Sequence, residues 1–186
     1  MIMLGPVLEG ARVLVTAQRR ADDLAAALIR RGAQVDIAST LGVEPHIDEA
    51  GLLEHLRIDS AGTHNYHPGE PPDARSQAYA RRRGYDLSAL RARHLRDDDF
   101  VRFDLIVVMD DLNYSTVLAR ADAAQRAKVR RMLEFSPDAV ARGLREVPDP
   151  YYGDAQDFEH VLDLVEAASD GLLVHLRAAW SQRSAG

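Results

Sequence analysis

The 186-residue sequence contains no cysteine. Without a thiol there is no disulfide, no thiolate metal site and no thiol catalysis, and the compartment is left undetermined on this ground. No apolar run approaches the ~20 residues that span a bilayer, so no membrane partner is expected. Residues 1–10 are partly apolar but lack a basic start and a long apolar centre, so they do not read as a signal peptide. A cytoplasmic chain is the expectation. Positive charge is in deficit, with 23 Lys and Arg against 29 Asp and Glu and a net charge of −6. Nonspecific nucleic-acid binding needs a basic face, so no nucleic-acid partner is expected. Glycine is missing between Thr16 and Arg31, which hinders close backbone approach to an anion there. There are no internal repeats and no low-complexity linker.

Hydrophobic residues make up 46% of the chain, enough to build a core. The length fits one α/β domain over residues 1–186. Val13-Leu14-Val15 lies in a β-rich run from Arg12 to Thr16 and reads as a buried strand. Residues 21–31 read as a helix with Leu24 and Leu28 on one face. Gln34–Ala38 reads as a second strand, and residues 48–56 as a short helix capped by Asp48. This front β-α-β unit spans residues 10–47. Arg57–Ser60 reads as a further strand. Pro71-Pro72-Asp73 opens a helix ending near Gly84, with Arg75 and Arg81–Arg83 solvated. Asp104–Met109 is the clearest strand, apolar at consecutive positions as in a sheet covered on both faces. Asp110 or Asp111 caps a helix through about Arg120. Another helix is expected from Asp122 to Leu133, then a short strand from Leu144 to Val147. The last helix begins near Asp157, with Phe158, Val161, Leu162, Val165 and Ala168 as its buried stripe. The fold class is three-layer α/β/α with a mostly parallel sheet of four to five strands.

One stretch carries candidate chemistry, Val147-Pro148-Asp149-Pro150-Tyr151-Tyr152-Gly153. Each proline fixes its own φ and removes a donor, and the residue before Pro150 is pushed toward an extended conformation. A stiff loop therefore holds the Asp149 carboxylate beside two aromatic rings. That suits a general acid of fixed reach; a rigid turn is the plainer alternative.

Taken with Ile58-Asp59-Ser60-Ala61-Gly62-Thr63, Gly69-Glu70-Pro71-Pro72-Asp73, Phe103–Asp110, Asn113, Glu134-Phe135 and Phe158–Asp163, this loop resembles the low-molecular-weight protein tyrosine phosphatases. The resemblance runs from about Glu49 to Arg177, in the family's order. It implies a phosphatase-I/flavodoxin-like fold. It also implies phosphotyrosine hydrolysis in which a thiolate attacks phosphorus, backbone N–H groups and an arginine hold the oxygens, and an aspartate protonates the phenol. Asp149 matches that aspartate. Tyr66, Tyr151 and Tyr152 match the aromatic residues of the substrate slot. Ser60, Asp110 and Asn113 match residues that support the phosphate loop. The family's N-terminal loop of a cysteine, five residues and Arg-Ser has no counterpart.

The front segment, from Gly10 to about Arg57, resembles the opening of uroporphyrinogen-III synthase through Arg-Val-Leu-Val-Thr, Ala-Asp-Asp-Leu-Ala-Ala-Ala-Leu, Arg-Arg-Gly-Ala and Val-Glu-Pro. It covers a fragment of one domain of that enzyme, so synthase activity is not implied. The two resemblances meet near Glu49–Leu52, as in a chimera with a phosphatase-like segment over 48–178. A divergent natural relative is the competing reading. They also compete for one sheet position. Either strand 57–60 moves to the other side of the first strand, giving a 2-1-3-4-5 order, or strand 34–38 adds outside. The right-handed crossover of the front unit favours the first, at the cost of moving Ser60 and Tyr66.

Three functions remain open. The preferred one is a catalytically silent scaffold, with Asp149 as a vestigial acid. The second is a binding protein for a small aryl or phosphate ligand, held weakly in the Tyr66, Asp149, Tyr151 and Tyr152 cleft. The third is a weak hydrolase with Thr16 or water as nucleophile. Thr16–Arg20 stands where a phosphate loop would, but Asp22 and Asp23 open the next helix and disfavour a second anion. His64 and His67 lack further ligands, so no metal and no cofactor are expected. Oligomeric state is not legible.

Overall fold

A computed structural model describes residues 12–17 and 56–184, with the side chains of Ala17 and residues 180–184 outside the description. The helix expected over 21–31, strand 34–38, helix 48–56 (save Leu56) and the stretch 18–20 lie outside the described residues.

Among the described residues four strands form one sheet: β1 (Arg12–Ala17), β2 (Arg57–Gly62), β3 (Leu105–Val108) and β4 (Val129–Arg131). All pairings are parallel and the order is β2-β1-β3-β4. Val15 lies opposite Ser60 on one side and Val107 on the other. Strand β2 therefore stays beside β1, outermost among the described strands on that side, and β3 takes the other side. This overturns the 2-1-3-4-5 order in which strand 57–60 crosses over. It places Ser60 opposite Val15 in that pairing. The physical reason is that β1 has only two edges, and both are filled by segments 57–62 and 105–108.

The strand period of two sorts side chains onto two faces. Val13, Val15, Ile58, Leu105 and Val107 pack on one face with Val161, Val165, Ala168 and Leu172. Leu14, Ile106 and Val108 pack on the other with Phe100, Phe103 and Val117. The first face is covered by α6 (Ala155–Ser184), the second by α3 (Asp111–Arg120) and the short α2 (Asp99–Arg102). The result is the expected three-layer α/β/α fold. All five residues expected in the last helix's stripe are buried, although that helix starts at Ala155 rather than near Asp157.

Helix α1 (Ala74–Arg82) is capped by Asp73, whose carboxylate accepts the N–H groups of Arg75 and Ser76. Burial pushes this carboxyl up, but the two N–H groups and the Arg75 charge outweigh it and hold it below the ordinary value. Arg83 is not solvated as expected. Its guanidinium pairs with Glu159, Asp163 at 2.8 Å and Glu166 at 3.3 Å, tying the end of α1 to α6.

Two expected elements are absent. The helix expected over 122–133 is only a short α4 (Ala123–Arg126), after which the chain turns into β4 and a 3-10 turn (Met132–Phe135). The Ile106–Val129 pairing begins the ladder that ends the helix. Leu144–Val147 forms no strand; Val147 makes one backbone bond to Met109, of 2.8 Å. Between them α5 (Pro137–Ala141) starts from the Ser136 cap.

Candidate functional site

Beyond the C-terminal end of β3 the structure brings Asp110, Asn113 and the acid loop together. Beyond β3, Asp110 is extended and its carboxylate accepts the Asn113 N–H at 2.6 Å. This settles Asp110, not Asp111, as the cap of α3. Asp111 instead pairs with Arg131 at 2.5 Å and Arg145 at 3.6 Å, and its N–H donates to Glu146 at 2.8 Å. Those contacts fasten the 145–146 segment beside the helix start. The Val147–Met109 bond then delivers the acid loop next to Asp110.

The loop is closed by local hydrogen bonds. Asp149 is the cap of a 3-10 turn (Pro150–Tyr152), accepting the Tyr151 N–H at 3.0 Å, and Gly153 N–H returns to Pro150 O at 2.9 Å. Tyr151 and Tyr152 meet edge to face, 5.0 Å between centroids. Asp149 is exposed, and Tyr152 is 93% exposed.

Electrostatically the site is acidic. Burial pushes the Asp110 carboxyl up; the Asn113 and Leu112 N–H groups oppose it, and Glu146 and Asp149 push it further. Asp110, Glu146 and Asp149 thus share one field. Among the described residues no group of three or more His, Asp or Glu is arranged to hold a metal ion.

Asn113 is fully buried, and both atoms of its side-chain amide are without a hydrogen-bond partner among the described residues. It stands one turn before Val117 on the face of α3 that packs on the sheet. Ser60, in β2, is half-buried. Tyr66 is 75% exposed and stacks on His64, with centroids 5.2 Å apart and planes 12° apart. His67 pairs with Glu70 at 3.0 Å. Thr16 is fully buried in β1, its hydroxyl 3.5 Å from Val107 O. A hydroxyl buried in the sheet is poorly placed to attack a phosphoryl group.

Sequence reasoning missed the role of Arg75. Its guanidinium donates to Tyr151 O at 2.8 Å and lies over the Tyr151 and Phe158 rings, 5.3 and 5.0 Å from their centroids. No local signal marks a contact between residues 76 positions apart.

A family model described as low molecular weight phosphotyrosine protein phosphatase matches residues 43–182. The chain belongs to that family. A low molecular weight protein-tyrosine-phosphatase of Streptomyces coelicolor is 41% identical over 141 residues, 75% of this chain and 84% of the relative. One from Bacillus subtilis is 32% identical over 127 residues, covering 68% and 78%. Among solved structures, a protein tyrosine phosphatase from Entamoeba histolytica superposes with a TM-score of 0.75 at 29% identity, over 91% of this chain and 97% of that one. The 186 residues of this chain include no cysteine.

Proposed function

We propose that this chain is a catalytically silent low molecular weight phosphatase, a scaffold that keeps the acid loop and has lost the covalent route. The absence of any cysteine carries the reading. A positioned general acid contributes typically 10²–10⁴-fold and does not replace a missing nucleophile. The burial of Thr16 supports it further. The test is turnover of an aryl phosphate by the purified full chain and by Asp149→Asn. Both are expected at the rate of buffer alone. Turnover by the native chain that Asp149→Asn abolishes would sink the proposal.

The front segment, residues 10–47, is of separate origin from the phosphatase-like segment over 48–178, with the synthase-like motifs marking its source. The family match starts at residue 43, a few residues inside that front segment. A second reading is favoured by the outward-facing tyrosines: the residual cleft of Tyr66, Asp149, Tyr151 and Tyr152 binds a small aryl ligand weakly. The shared field of Asp110, Glu146 and Asp149 disfavours a phosphate on it. Titration with phenol and with phenyl phosphate, followed by tyrosine chemical shifts, separates the readings. Saturable shifts with phenol support the cleft, and flat responses to both leave the bare scaffold.

A further inference from the structure

We propose that Arg75 is a positioning residue for the acid loop, clamping the 3-10 turn of Pro150–Tyr152 to the start of α1 and to α6. Asp73 caps α1 through the Arg75 and Ser76 N–H groups at 2.9 and 3.1 Å. The Asp73 carboxylate also lies 3.5 Å from Arg75 Nε. This fixes both the backbone of Arg75 and the root of its guanidinium. The far end of the same planar group donates to Tyr151 O at 2.8 Å. One face reaches the Tyr151 ring, and the Phe158 ring of α6 lies 5.0 Å away. A single side chain therefore touches α1, the acid loop and α6.

The choice of arginine follows from the geometry. A planar fork donates in its plane while its faces meet aromatic rings, and lysine offers only a point charge. Tyr151 is held at its carbonyl and its ring, and its N–H is held by Asp149. Fixing Tyr151 thereby fixes the reach of the Asp149 carboxylate and the edge-to-face partner Tyr152.

The clamp concerns order and not turnover, so it stands or falls separately from catalytic silence. The experiment is backbone ¹⁵N relaxation on the full chain, native and as Arg75→Ala and Arg75→Lys. In the native chain the Tyr151 and Tyr152 amides are expected near the rigid value of about 0.85, and in Arg75→Ala below about 0.6. Residues 76–82 and strand β3 are expected to keep their values. Arg75→Lys, retaining charge and one donor, is expected between the two. A native loop already below about 0.6 overturns the proposal without any variant. So does a loop unchanged in Arg75→Ala, a loss spread equally along α1, or a lysine variant no better than alanine.

Discussion

Asp110 carries a repulsion from its neighbours. Its carboxyl is raised first by burial and then by Glu146 and Asp149. A carboxyl raised on folding contributes stability below its ordinary value near 3.8, and loses it as pH rises through the folded value. At neutral pH the ionised group is a cost. Asp149→Asn keeps an oxygen for the Tyr151 N–H and removes one charge. It is expected to lower the Asp110 pKa and to stabilise the chain at pH 7 by less than about 1 kcal/mol, after screening. Carboxyl NMR titration and urea unfolding at pH 3 and 7 check this; equal stability gains at both pH values would contradict it. His175 works in the opposite sense. Burial lowers its pKa first, with Arg130 adding to it, and its ring tilts against Phe135 at 5.4 Å. The neutral ring is favoured on folding, so its contribution is present above the ordinary value of 6.5 and lost as pH falls below it. The drop in urea midpoint between pH 7.5 and 5 is expected to be smaller in His175→Gln than in the native chain.

At the scale of elements, local chemistry was readable and distant partners were not. The helix starts at Asp73 and at Asp110 or Asp111 were legible because a cap acts on N–H groups two or three residues away, though the choice of Asp110 needed the structure. Residues 122–133 read as helix because Ala, Gln, Arg, Lys, Met and Leu are good helix formers. Three residues of that stretch are taken by pairing with β3, a tertiary demand that propensity does not contain. Arg83 read as solvated for the same reason, its partners being 76 or more residues away. The candidate site was legible where a rigid dipeptide or cap defined it, as at Asp149. The Arg75 clamp was not, since its carbonyl partner is also 76 positions away. One glycine makes an element-scale prediction. A Cβ on Gly171 would stand 1.7 Å from Phe135 O, a backbone atom. Alanine gains roughly 1 kcal/mol of helix propensity over glycine, but α6 must then back away from the 3-10 turn. Overpacking of this kind costs typically 1–3 kcal/mol, so Gly171→Ala is expected to lower the melting temperature. A rise would show that α6 shifts freely.

For the whole molecule, the decisive element is β1. Val13, Leu14 and Val15 are fully buried, and the strand pairs on both sides. Each large apolar side chain buried contributes about 1.5–3 kcal/mol, against a net domain stability commonly of ~5–15 kcal/mol. A fragment of residues 48–186 is therefore expected to aggregate or lack a cooperative transition. The full chain is expected to unfold in one step by far- and near-ultraviolet circular dichroism. A well-folded fragment, or two separate steps, would make the front unit an appendage.

The central place of β1 also sets a timetable for synthesis. Strand β1 ends at Ala17 and β3 ends at Val108, about 90 residues later. At roughly 5–20 residues per second, a ribosome leaves the first strand waiting about 5–20 s for its second neighbour. During that interval an apolar, β-branched run is available to other nascent chains. Arg12 at the start of the strand and Arg19-Arg20 beyond its end in the sequence are charges of the kind that disfavour such pairing, and in the finished fold Arg12 is held by Asp104.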